Sequence, residues 1–240
     1  MAPPLSRLSL GQLPASAIAI GAMAPDLEYL VFLETRRTIG HSPLGLVLFC
    51  LPVSLVCLLV WHALVKRPLG QLLPDRWAYL YKALDRPFPF RTWRDRTRVI
   101  VAIFVGAVSH VIWDAFTHAG SAGVALLPRL RNPVPVVGLP AYSVLQYAGG
   151  LLGMAILGLA VLLWARQQPR VQVQLPPARD RLIAVNAIIA VALAVAAVNA
   201  LRISEAGVTA TRVLIVAAVL GAMTGGSISM TAYAAVRRNR

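Results

Sequence analysis

Long apolar runs separated by short polar stretches dominate this chain. Five of them, 44–65, 99–116, 147–164, 182–201 and 213–236, are helix lengths suited to a hydrocarbon layer of ~30 Å at ~1.5 Å per residue. A sixth stretch, 15–33, is interrupted by Pro25, Asp26 and Glu28. It reads either as a broken spanning helix or as two short helices at the membrane surface. Irregular backbone at that depth is tolerated only where it is buried in protein or lines a cavity. No internal repeat and no low-complexity linker divides the chain. The pattern predicts an all-α polytopic membrane bundle of five to six transmembrane helices, a single integral membrane domain over 1–240.

Composition supports a lipid environment. The chain is 58% hydrophobic and only 13% charged, against about 25% charged in a soluble domain. The net charge of +14 would suit nucleic acid, but the cations sit in loops between apolar runs, which is the signature of membrane topology. Lys66, Arg67, Arg76, Lys82, Arg86, Arg91, Arg94, Arg96 and Arg98 follow the first long run. The loop from about 118 to 146 has only Arg129 and Arg131, the next has Arg166, Arg170, Arg179 and Arg181, and the chain ends in Arg237, Arg238 and Arg240. Dense and sparse loops alternate, so 66–98, 165–181 and the C-terminus are expected in the cytoplasm. Trp61, Trp77, Trp93 and Trp164 fall at the same expected interface. The stretch 76–82 mixes aromatics and cations and reads as an interfacial helix. No signal-peptide pattern is expected at the N-terminus. Cys50 and Cys57 are too far apart on one helix to bridge and are read as buried apolar side chains. Gly149–Gly153 and Gly221–Gly225 have the spacing that lets helices pack closely within the bundle.

Against this apolar background one constellation is out of place. His110, Asp114 and His118 recur at i, i+4 and i+8 at the end of the second long run. On an α-helix they share one face within roughly 80° of arc. Histidine and carboxylate bind zinc and similar ions, and titratable groups inside a spanning segment mark function by default. His110 and His118 are about 12 Å apart along the axis and cannot share one ion on a straight helix. Asp114 lies between them and has two oxygens with which to bridge two ions. The loop-charge topology places Asp26, Glu28 and His41 at the same end. The competing readings are a hydrogen-bonded network between helices, pairing of Asp26 or Glu28 with Arg36 or Arg37, and, for His41 beside Ser42 and Pro43, a simple helix start. His62, beside Trp61, is expected at the opposite interface. Ser109 is not expected to serve as a nucleophile, because adjacent helical residues do not face each other.

Three blocks carry a family resemblance: Met23-Ala24-Pro25-Asp26-Leu27-Glu28-Tyr29, Gly40-His41-Ser42-Pro43-Leu44-Gly45, and Ser109-His110 through Asp114 to Thr117-His118. Over roughly 1–165 the chain resembles the DUF4184 family of bacterial membrane proteins. That family is similar to YdjM-type membrane-bound metal-dependent hydrolases and, distantly, to the zinc-dependent phospholipase C and P1 nuclease fold. The resemblance implies Asp26, His41, His110, Asp114 and His118 as metal ligands, and phosphoester hydrolysis as the activity. The two helices of 166–240 are read as additions. One departure stands out. Where family members carry a Ser-His-Pro-like element, this chain reads Pro4-Leu5-Ser6-Arg7-Leu8. Arginine cannot ligate a metal. The protein then binds fewer ions, or has lost catalysis, or uses Arg7 to hold a substrate phosphate.

The expectation is a membrane-embedded hydrolase dependent on a divalent metal, Zn2+ first. It would act on a phosphoester or lipid-linked substrate at the outer membrane face, with Asp114 and Glu28 as catalytic groups and Glu28 as general base. The alternative is a non-catalytic membrane protein with a structural polar or metal-binding cluster. A transporter is disfavoured by the apolar stretch 99–104 below His110.

Overall fold

The chain folds as a bundle of apolar helices, seen in a computed structural model that describes residues 13–34, 38–85, 87–88 and 90–238. Arg7, Arg36, Arg37 and Arg86 lie outside the described residues. Six helices are long and apolar enough to cross a membrane, and no strand occurs among the described residues beyond an isolated bridge between Pro133 and Pro140. This is a multi-pass membrane protein, with the lipid bilayer as its solvent.

The interrupted stretch supplies the sixth span. It is α1 (Ala15–Met23), a 3-10 turn (Ala24–Asp26) and α2 (Leu27–Phe32) in continuous succession. Pro25 opens the 3-10 turn, where its missing N–H costs little. α2 stops at Leu33, which takes a left-handed conformation (φ 56°). The second span, α3 (Pro43–Gln71), begins at Ser42, whose hydroxyl accepts from the Gly45 amide at 2.9 Å, with Pro43 in the first turn. The N-cap expected at Ser42 is therefore present, and it positions His41 immediately outside the helix. Two π-helical turns, Leu46–Cys50 and Trp61–Val65, interrupt α3. Each comes just before a proline, Pro52 and Pro68. A widened turn absorbs the lost N–H and the ring's clash with a preceding carbonyl.

After a short helix α4 (Leu80–Leu84), the third span α5 (Trp93–Thr117) starts with a capping box. Thr92 Oγ1 accepts from the Asp95 amide, and Asp95 accepts from the Thr92 amide. A short α6 (Ala122–Leu126) follows, then α7 (Ala141–Gln167), α8 (Ala178–Glu205) and α9 (Thr211–Arg238). The helices extend beyond the apolar runs because their polar end turns continue into the interface.

The core forms where α1 crosses α5, around Ala17, Leu58, Val99, Ala102 and Ile103. Backbones meet there. A Cβ on Gly106 would lie 2.1 Å from the Ile18 carbonyl oxygen, so only glycine fits. α8 and α9 pack on each other, with Gly221 and Gly225 against Val191, Val195 and Ala196. Gly149 meets the Trp113 ring, whereas Gly153 faces open space.

The α8–α9 pair also supports the end of the broken span. Asn199 Nδ2 donates to the Leu33 carbonyl (3.2 Å) and the Ala217 carbonyl (2.8 Å), and Thr224 Oγ1 donates to the Leu30 carbonyl (3.0 Å). Carbonyls freed by the helix end are satisfied by neighbouring spans.

Contacts sort the ends of the spans. At one end Ser16 Oγ meets His62 Nε2 (3.1 Å), the Tyr79 hydroxyl donates to the Ala165 carbonyl (3.3 Å), and Arg181 pairs with Asp75 (2.5 Å) and donates to the Leu73 carbonyl. The densely basic segments share this end. At the other lie Asp26, His41, Asp114 and His118. The alternation of dense and sparse loops therefore corresponds to an alternation of ends.

Candidate metal centre

Three separate elements deliver the polar groups. The 3-10 turn after α1 presents Asp26, the segment before α3 presents His41, and the last two turns of α5 present His110 and Asp114. Gly40 makes the approach possible. A Cβ there would sit 2.4 Å from the Pro25 carbonyl oxygen, so the chain carrying His41 lies directly on the turn carrying Asp26.

One donor atom from each of Asp26, His41, His110 and Asp114 lies within 4.8 Å of the others. His41 Nε2 is 3.4 Å from Asp26 Oδ1 and 3.3 Å from Asp114 Oδ2. His110 Nε2 is 3.6 Å from Asp26 Oδ2 and 3.3 Å from Asp114 Oδ2. A tetrahedral zinc with bonds near 2.0–2.1 Å places ligand atoms roughly 3.3 Å apart; the four histidine–aspartate pairs are 3.3–3.6 Å apart, and the whole set lies within 4.8 Å. Asp26 Oδ1 and His110 Nε2 are buried and face other members of the cluster. Two imidazoles, two carboxylates and these buried atoms make a donor set that fits a divalent ion.

Glu28 lies beside this group. It is 2% exposed, and its carboxylate accepts from the Thr38 amide (3.0 Å), the Thr38 hydroxyl (2.9 Å) and the Ile39 amide (3.3 Å). Its Oε1 is 3.8 Å from His41 Nδ1, so it faces the ring edge opposite Nε2. Tyr29 stacks on the same imidazole, with centroids 6.2 Å apart and planes at 14°. Glu28 and Tyr29 therefore set both the position and the plane of His41.

His118 ends α5 in an extended conformation and stands at the rim. Its Nδ1 is 3.5 Å from Asp114 Oδ1, while the other Asp114 oxygen faces His41 and His110. Its Nε2 is 3.0 Å from Gln146 Nε2 on α7. His110 and His118 thus address different oxygens of Asp114, and His118 is not one of the four convergent donors. His62 sits at the far end of the bundle between Ser16 and Lys66, stacked on Phe88. The Ser109 hydroxyl donates to the Gly106 carbonyl on its own helix. Thr38, Tyr29 and Gln146 were not anticipated. Thr38 acts through its backbone amide and hydroxyl, Tyr29 through its ring and Gln146 through a side chain from another helix, and none of these contacts leaves a spacing signal.

A cavity of ≈ 290 Å³ adjoins the cluster, lined by His41, Asp114 and Ser121 and by Val111, Ala115 and Ala122. No curated protein and no solved structure matches the chain. A family model does match, over residues 2–235, so the match runs through α8 and α9 as well as the helices that carry the cluster. The chain with this buried histidine–aspartate cluster belongs to the DUF4184 family, a domain of unknown function.

Proposed function

We propose that Asp26, His41, His110 and Asp114 hold one divalent ion, zinc by donor chemistry, and that the protein is a membrane-embedded hydrolase of a phosphoester or lipid-linked substrate. The observation that carries this reading is that two imidazole nitrogens each lie 3.3–3.6 Å from oxygens of both carboxylates, in a set whose donor atoms are within 4.8 Å of one another. A bound ion would supply Lewis acidity, acidifying a water and neutralising charge on a phosphoryl oxygen.

The residues divide the remaining work. Glu28 is committed to the 38–39 amides and to His41, so its role is to orient that imidazole, as carboxylates do behind histidine ligands. Proton acceptance then falls to Asp114, which lines the cavity. Its Oδ1, turned toward His118, is the oxygen placed to take a proton from the attacking water. His118 Nδ1, 3.5 Å from that oxygen, passes the proton on to the departing oxygen. By loop charge the cluster faces the outer side of a bacterial inner membrane and the C-terminus is cytoplasmic. A relation to YdjM-type hydrolases, and through them to the phospholipase C and P1 nuclease fold, remains part of this proposal.

The same distances also suit a second reading, in which protonated His41 and His110 pair with Asp26 and Asp114 in a non-catalytic network. Metal analysis of the purified full-length protein separates the two. About one zinc per chain, removed by chelation with a fall in Tm, supports the metal centre. A metal-free protein whose Tm is indifferent to chelator and to added zinc rejects it.

A further inference from the structure

We infer that the substrate is a membrane lipid carrying a phosphate ester, reaching the centre sideways from the bilayer across the Val108–Ile112 face of α5. This rests on the hydrolase reading and narrows its substrate to a class that excludes water-soluble phosphoesters.

The cluster lies near the end of a spanning helix. Asp114 is three residues short of the end of α5, about 4.5 Å below it at the helical rise. The adjoining cavity has two characters. His41, Asp114 and Ser121 give it a polar end, and Val111, Ala115 and Ala122 give it apolar walls. Its volume is near the lower end of small-molecule sites, about 300 Å³.

The apolar wall continues onto the outside of the bundle. Val108 and Ile112 precede Val111 and Ala115 by three residues each, so they adjoin those side chains on the helix surface. They are 38% and 56% exposed. Within a spanning helix that exposure faces acyl chains. A lipid tail lying along Val108 and Ile112 brings its headgroup to the level of Asp114.

The loop above has matching chemistry. α6, which supplies Ala122 to the cavity, ends in Leu126, and Leu126 and Val136 are 77% and 93% exposed. Arg129 and Arg131 are exposed between them. Large apolar side chains interleaved with cations are the composition of a segment seated among anionic headgroups. In the hydrolysis, water oxygen bonds to phosphorus, the phosphorus–ester oxygen bond breaks, and the proton released by water ends on the departing oxygen. The lipid alcohol stays in the bilayer.

The test is photo-crosslinking of the full-length, zinc-loaded protein in galactolipid vesicles, which contain no phosphate. The probes are phosphatidic acid and diacylglycerol, each with a diazirine on the same acyl position. The expected result is several-fold more labelling of 108–115 by phosphatidic acid. Unlabelled phosphatidic acid should compete and glycerol phosphate should not. Equal labelling by the two probes, or competition by glycerol phosphate as effective as by the lipid, overturns the inference. Because labelling reads binding, the two readings fail separately. Headgroup-dependent labelling without turnover of phosphatidic acid or p-nitrophenyl phosphate sustains the lipid site and rejects the hydrolase. Turnover of p-nitrophenyl phosphate with headgroup-independent labelling does the reverse.

Discussion

Glu28 shows how a single carboxylate ties a loop to a metal-type site. Its two oxygens hold the 38–39 backbone, and that backbone leads within two residues to His41. Glu28→Gln keeps the shape, but replaces one acceptor oxygen with an amide donor beside the Thr38 and Ile39 amides. Zinc affinity, measured by competition with a chelator, should fall about 10–100-fold, the usual effect of losing a partner behind a histidine ligand. An unchanged affinity would remove the orienting role. Asp114→Asn should take zinc from about one ion per chain towards zero, since a neutral amide is a poor ligand. His62→Ala should leave it unchanged, because His62 lies with Ser16 and Phe88 at the other end. Equal zinc content in both variants would dismiss the centre. At this scale the i, i+4 spacing of His110 and Asp114 was legible from sequence, because a helix fixes which side chains share a face. The work of Glu28 was not. Its partners are the Thr38 and Ile39 amides and the Thr38 hydroxyl, ten and eleven residues away, and every residue type but proline carries such an N–H.

At the scale of elements, the break at Pro25 gives Asp26 its position, and the glycine facing it gives His41 its own. Gly40→Ala places a methyl carbon against the Pro25 carbonyl, so the 38–42 segment must move away from the 3-10 turn. Overpacking of this kind costs about 1–3 kcal/mol. The variant should show a lower Tm in detergent together with reduced zinc content. A lower Tm with full zinc occupancy would mean that the close approach is structural only. The other side of the break depends on α8 and α9. Thr224→Val leaves the Leu30 carbonyl without its hydroxyl donor, at about 1–3 kcal/mol for a buried polar group. It should lower the Tm while leaving the zinc stoichiometry intact. The apolar runs revealed five of the six spans because hydrophobicity marks lipid depth directly. They left the sixth open, because Pro25, Asp26 and Glu28 interrupt it and the groups that satisfy the carbonyls at its end, Asn199 and Thr224, are on helices far along the chain. Tertiary satisfaction of a broken helix is not written in its own segment.

For the whole molecule, the ends of the spans group the loops by charge, and sidedness then follows from the cations. Lys66, Arg67, Lys82, Arg170 and Arg181 all belong to the end away from the cluster. Two of the acids there are engaged, Asp85 with Arg67 at 2.6 Å and Asp75 with Arg181 at 2.5 Å. This end should therefore face the cytoplasm, and the cluster with its 118–140 loop should face outward. A cysteine at Val136 should react with an impermeant maleimide in intact cells, and one at Ala83 only after permeabilisation. The background must lack Cys50 and Cys57. The Cys50 thiol is buried and donates to the Gly40 carbonyl, so its replacement has to retain zinc before the labelling is read. Labelling at Ala83 in intact cells, with Val136 protected, would invert the protein. The centre would then open to the cytoplasmic leaflet, and its lipid would have to come from that side.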